Sequence, residues 1–316
     1  MARVLRFSEV SFPLDPPAAF GREGPLVLEI GFGDGRFLAT LHRLHPEWNL
    51  LGLEAAAASV TRALRRLVRE GVGPALLFKG RAGFALRNLV PPRSLQAVYV
   101  NFPDPWPKSR HAGRRLLQVP FFRLLSTRLS EGGALYLTTD HEEYFAFALE
   151  EGRRSGLFEA RPAPPPPEAL TTKYAEKWRR RGRRFFHAVF AKLAEAEEEY
   201  PPLAKEEAMP HAILEGPLPE IQGFEKRVHA FPGGHAIFLE AARREPEGYY
   251  FLVRVEEPEL ELVQELLLEL RPSSRGLYAG LKRFGDPLVT PGVRRAVGFL
   301  VDWLSSLGLS VSKRSY

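Results

Sequence analysis

The chain contains no cysteine in 316 residues, which excludes disulfides, thiolate metal ligands, iron–sulfur clusters and cysteine nucleophiles. No metal is expected. Long apolar runs are missing too: none approaches the roughly 18 residues that a membrane span needs. The opening Met1-Ala2-Arg3-Val4-Leu5-Arg6 lacks the apolar core of a signal peptide. These absences lead us to expect a cytoplasmic protein with no membrane partner. What is present, 45% hydrophobic and 26% charged residues, is ordinary for a soluble globular chain, and the length suits two domains.

The net charge of +6 conceals an asymmetry. Residues 1–194 carry 30 Lys+Arg against 18 Asp+Glu, a net +12, whereas residues 195–316 carry 14 against 20, a net −6. A basic front portion suits a polyanion such as nucleic acid. Along that portion, short apolar runs (26–30, 50–53, 75–78, 95–100, 134–138) alternate with amphipathic stretches (37–44, 60–68, 121–129), the signature of a parallel sheet covered on both faces. Residues 158–161 and 185–192 read as two final strands. The expected fold is therefore α/β, a doubly wound, mostly parallel sheet of seven strands over residues 1–194. The acidic, proline-containing residues 195–219 read as a linker, and 220–316 as a small α+β extension: a hairpin at 236–242 and 249–255, and helices at 260–270 and 293–307.

The most informative segment is Asn101-Phe102-Pro103-Asp104-Pro105-Trp106-Pro107-Lys108-Ser109-Arg110-His111, directly after the buried-strand run 95–100. Three prolines fix φ and bias the residues before them toward extended geometry, so the backbone around Asp104 is ordered before any ligand arrives. In open α/β sheets ligands bind outside the carboxyl ends of the strands, which is where this segment falls.

A second segment, Leu26-Val27-Leu28-Glu29-Ile30-Gly31-Phe32-Gly33-Asp34-Gly35, is a strand entering a glycine-rich turn, and Glu54 closes the next strand at the distance expected of a ribose-binding carboxylate. A dinucleotide would want bare backbone N–H groups turned to its pyrophosphate. Here the third glycine comes early, Arg36 takes its slot, and Glu29 and Asp34 bring negative charge that repels phosphate. S-adenosylmethionine, with a sulfonium, an ammonium and two ribose hydroxyls, suits acids beside a glycine turn better. A third segment, residues 171–184, holds five arginines, two lysines, Tyr174 and Trp178, joining phosphate-seeking charge to stacking surface.

Together these segments resemble the bacterial tRNA (guanine-N(7)-)-methyltransferase family, a class I S-adenosylmethionine-dependent group, over roughly residues 20–192. The hallmark likeness is the loop from Asn101 through Lys108, Arg110-His111 and Arg114-Arg115-Leu116, with Glu29-Ile30-Gly31-Phe32-Gly33, Thr139-Asp140 and Thr172-Lys173-Tyr174 beside it. The resemblance implies S-adenosylmethionine binding by Glu29, Gly31, Gly33, Gly35, Glu54 and Asn101, and an active-site role for Asp104. It implies tRNA contacts from Lys108, Asp140, Thr172, Lys173 and Tyr174. To these we add Arg110, Arg114 and Arg115 as phosphate ligands, and Glu176 in place of the acid that the family has where Ala175 stands. Arg81 stands where the family commonly has an acid for the adenine end of the cofactor, so that role is not carried over.

N(7) of guanine already exposes a lone pair, so methyl transfer there needs positioning more than a strong base. Asp104 is expected to accept hydrogen bonds from the Watson–Crick edge and present N(7) to the methyl. Trp106 either stacks on the extruded base or buttresses the loop. His111 is expected to bond locally, and Asp140 to orient Lys108 or the ribose. An exocyclic-amine methyltransferase, a non-catalytic RNA-binding protein on the same fold and a dehydrogenase are the rival readings. Nothing calls for an obligate protein partner, and a monomer and a homodimer fit equally.

Overall fold

The computed structural model describes residues 1–179 and 181–316; Arg180 of the basic run lies outside the described residues. The chain divides into two compact units: Met1–Arg6 with Val10–Leu203, and Phe7–Glu9 with Ala204–Tyr316.

The first unit runs β1 (Arg3–Val4), α1 (Pro16–Phe20), β2 (Leu26–Ile30), α2 (Arg36–Leu44), β3 (Asn49–Glu54), α3 (Ala57–Arg69), β4 (Ala75–Lys79), α4 (Ala82–Asn88), β5 (Leu95–Asn101), α5 (Val119–Ser126), β6 (Leu129–Thr139), α6 (Glu142–Arg154), β7 (Phe158–Ala163), α7 (Lys173–Arg179) and β8 (Phe186–Lys192). Its described strands form one sheet in the order β1-β4-β3-β2-β5-β6-β8-β7, parallel from β1 to β6 and antiparallel at β8 and β7. This is the expected doubly wound α/β sheet with one strand more. The extra strand is β1, two residues long and too short to carry a periodicity. Helices on both faces leave the central strands no solvent side, so β2, β3 and β4 are buried along almost their whole length rather than at alternate residues. Chain order reverses between β2 and β5. At such a switch point the two following connections leave toward opposite faces and open a crevice beyond the strand ends.

The acidic residues that begin the expected linker belong to this unit. Glu195 pairs with Arg93 at 2.8 Å and Glu198 with Arg123 at 2.7 Å. The buried Arg128 guanidinium donates to the Tyr200 carbonyl at 2.7 Å, and the Leu203 N–H to Asn88 Oδ1 at 2.8 Å. Redrawn on the structural boundary, the first unit carries a net +9 and the second −3, so about a third of the contrast seen in sequence disappears with the acids that fold into the first unit.

The second unit contains β9 (His211–Glu215), β10 (Arg227–Phe231), β11 (Gly234–Arg243), β12 (Tyr249–Glu257), β13 (Leu262–Ser273), β14 (Gly276–Leu281), α8 (Pro291–Ser306) and β15 (Ser310–Ser315). These strands form an antiparallel sheet, β10-β11-β12-β13-β14-β9-β15, with α8 packed on one face. Residues 195–219 are thus not all linker, because β9 lies among them. The helix expected over 260–270 is strand β13: Leu262, Leu266, Leu268 and Leu270 sit on the core side at a period of two, and pairing with β12 and β14 outweighs the strong helix propensity of Leu and Glu. The helix expected at 293–307 is present as α8, capped by the Thr290 hydroxyl on the Val293 N–H.

Candidate active site

The carboxyl ends of β2 and β5 meet at the switch point, and each contributes a segment singled out by sequence. After β2 the chain turns through Gly31, Gly33 and Gly35, all at positive φ (81°, 55° and 78°) that a side chain rarely tolerates. The turn is clamped to the end of β3: Gly31 N–H donates to the Leu53 carbonyl at 2.8 Å, and Gly33 N–H to Glu54 Oε2 at 3.1 Å. Glu54 Oε1 accepts from the Ala56 N–H at 3.0 Å, which fixes the carboxylate beside the turn.

Glu29 is 2% exposed. Its Oε2 and both amide atoms of Asn101, at the end of β5, are buried with no hydrogen-bond partner among the described residues. Burial pushes the Glu29 carboxyl up to about 8; the facing Asn101 amide, close enough to favour the ionised form by hydrogen bonding although not aligned as a full hydrogen bond, acts the other way, and Glu54 and Asp34 push it further up. Orphaned buried polar atoms are costly, so two such groups on adjacent strand ends form a socket that fits a cationic, hydrogen-bonding ligand. Asp34 does not add to that socket. It pairs with Arg36 at 3.1 Å and Arg66 at 3.3 Å, so its charge is already compensated.

Beyond Asn101 the loop bends through Phe102 and Trp106, both at positive φ (54° and 43°), conformations that must be held by their surroundings. The Phe102 N–H donates to the Thr138 carbonyl at 2.7 Å, and its ring meets Phe185 edge-on. Arg115 holds the rest. It is 6% exposed, donates to the Pro105 carbonyl at 3.0 Å and the Trp106 carbonyl at 3.4 Å, pairs with Glu143 at 2.6 Å, and lies over the Phe147 ring at 4.7 Å. The phosphate role expected of Arg115 is therefore corrected: its guanidinium is spent inside the loop. Asp104 stands at the tip with its side chain exposed.

Of the other predicted residues, Lys108 and Arg110 are exposed and make no ion pair among the described residues. Arg114 covers the Trp106 ring at 5.1 Å, and His111 meets that ring edge-on at 5.7 Å. Asp140 does not orient Lys108; it pairs with Arg183 at 2.5 Å. Thr172 is buried and accepts the Ala175 N–H at 3.0 Å, capping α7. From that helix Lys173 and Tyr174 project outward, Tyr174 at 52% exposure. Ala175 faces inward, and Glu176 pairs with Arg36 at 2.8 Å. Sequence reasoning missed Arg36, Arg66 and Arg183, the partners of three predicted or suspected acids. Nothing in their spacing betrays those pairs, although Arg183 sits in the basic run. It also missed that Trp178 is ringed by Lys177, Arg181 and Arg183, the last at 4.0 Å. Among the described residues no helix is long and apolar enough to cross a membrane, and no group of three or more His, Asp or Glu residues could hold a metal ion.

The family described as "Putative methyltransferase" matches residues 23–188, the stretch that holds both halves of this site. The chain is 56% identical over 300 residues to the tRNA (guanine-N(7)-)-methyltransferase of Thermus thermophilus, covering 95% of each chain. It is 39% identical to the enzyme of that name from Deinococcus radiodurans, covering 99% of this chain and all of that one. The chain belongs to the tRNA (guanine-N(7)-)-methyltransferase family. These family members match beyond residue 195, so the likeness extends past the region that the sequence motifs delimit. Among solved structures, the 16S rRNA methyltransferase KamB aligns with 56% of this chain and 91% of its own, at 17% identity and a TM-score of 0.43. Against the family pattern the two departures have different settings: Ala175 is buried, with Glu176 turned to Arg36, while Arg81 stands exposed at the N-terminus of α4.

Proposed function

We propose that this chain acts in the cytoplasm and transfers the methyl group of S-adenosylmethionine to N(7) of a variable-loop guanosine in tRNA. The observation that carries the reading is the pairing of a buried, unpartnered Glu29–Asn101 socket with the braced Asp104 loop on adjacent strand ends at the switch point. The socket suits the ammonium end of S-adenosylmethionine, and Glu54, held beside the glycine turn, retains lone pairs for ribose hydroxyls. When bound, that cosubstrate supplies a methyl group on a sulfonium.

The chain's own residues do the positioning. The Asp104 carboxylate accepts from the N–H donors of the guanine Watson–Crick edge, which adenine does not present in the same pattern, and so aims N(7) at the methyl. N(7) carries no proton, so no base is required. The ring becomes cationic on methylation, and the fixed charge of Asp104 favours it. Lys108, Arg110 and Lys173 meet phosphates, Tyr174 offers an exposed ring for stacking, and Thr172 and Glu176 set the helix that presents them. Asp104→Ala is expected to abolish methyl incorporation while S-adenosylmethionine binding stays within about twofold; a large loss of cofactor affinity would move Asp104 into the cofactor site. Borohydride and aniline cleavage of the product tRNA checks the methylated atom. Methylated tRNA that resists cleavage would exclude N(7) and favour an exocyclic amine.

A further inference from the structure

The second unit is acidic overall, yet one end of the sheet face opposite α8 has the opposite sign. Glu269 is buried there between three cations: Arg271 at 3.2 Å, Lys282 at 3.3 Å and Arg244 at 4.0 Å. One carboxylate holds three cations, so this cluster by itself carries two surplus positive charges. They are set among rings. Arg271 lies over Tyr278 at 4.5 Å and Lys282 over Tyr250 at 5.3 Å. Register places Tyr250 opposite Glu269 and Tyr278 opposite Arg271, so these side chains share one face across three neighbouring strands. Immediately after Lys282 come the exposed Arg283 and Phe284, the latter 64% exposed, an uncommon position for a large apolar ring.

We infer that this face binds the phosphate backbone of RNA, with Phe284 as a stacking ring. Surplus cations beside an exposed aromatic ring match a polyanion whose bases present π-faces. Glu269 fixes the guanidinium and ammonium groups in place, so less side-chain freedom is lost on binding. This inference rests on the reading of the chain as a tRNA enzyme, and its test separates the two.

The test uses the full chain and unmodified tRNA. Lys282→Gln combined with Phe284→Ala leaves Glu269 its two arginine partners, so melting temperature is expected to hold. The dissociation constant for tRNA should rise about fivefold or more, and the slope of log K against log salt should fall by about 0.7–0.9, one phosphate contact. S-adenosylmethionine affinity and kcat at saturating tRNA should match the unaltered chain. Should the double variant melt early, Phe284→Ala alone, at an exposed position, still predicts a weaker tRNA complex. An unchanged affinity and slope in a variant that methylates tRNA overturns the surface but leaves the activity standing. An unaltered chain that never methylates tRNA overturns the activity instead.

Discussion

Arg115 offers the sharpest separation of two roles that sequence cannot tell apart. As a phosphate ligand it would contribute to tRNA affinity; as a brace it would contribute to the geometry around Asp104. Its low exposure and its bonds to the Pro105 and Trp106 carbonyls argue for the brace. A hydrogen bond from a charged donor contributes about 1.5–3 kcal/mol. Of the two, the 3.0 Å bond to Pro105 dominates, so Arg115→Met should release about 2 kcal/mol of order from a loop held at two positive-φ residues. If that order is needed only in the transition state, kcat falls about 30-fold, since each 1.36 kcal/mol is a factor of ten. Single-turnover methyl transfer at saturating tRNA would read this directly. S-adenosylmethionine affinity and the salt slope of tRNA binding should not move. Arg115→Lys should recover part of the rate, because an ammonium can reach one carbonyl but cannot fork across two and Glu143. A variant with normal kcat and a salt slope reduced by about 0.7–0.9 would refute the brace and restore the phosphate role.

Other outcomes follow from the same geometry. Because the Glu29 carboxyl is raised to about 8 in the folded chain, the unfolded chain ionises first as pH rises; cofactor-free stability should fall between about pH 4.5 and 8, and Glu29→Gln should flatten that part of a melting-temperature profile. A cation in the socket favours the ionised acid, so S-adenosylmethionine affinity measured by calorimetry should rise as pH climbs toward about 8 and fall above it, where the ligand's own ammonium, with an ordinary pKa of about 8, loses its proton; affinity independent of pH would place the ammonium elsewhere. Arg110→Gln should show the phosphate-ligand pattern that Arg115 should not, a shallower salt slope with kcat retained. Asp140→Asn should free Arg183 from its ion pair and tighten tRNA binding in a filter assay; weaker binding would give Asp140 a direct substrate contact.

What the sequence determined by itself was local and chemical. Alternating apolar runs, the glycines at 31, 33 and 35, and the prolines flanking Asp104 prescribe their conformations without reference to distant residues, because φ restrictions and burial periodicity act within a few positions. From these the doubly wound sheet, the crevice segments and the family likeness were legible. Pairings across tens of residues were not. Whether Asp34 faces a ligand or Arg66, whether Asp140 meets Lys108 or Arg183, and whether Arg115 touches phosphate or its own loop depend on side chains brought together only when strands register and helices pack. The same holds for β13, whose Leu-rich stretch satisfies either period until β12 and β14 supply hydrogen bonds on both sides. Charge shows the limit most plainly: a count along the chain put acids beyond residue 194 against a basic front, and folding laid Glu195 and Glu198 back onto that front, because opposite charges pair wherever the backbone lets them approach.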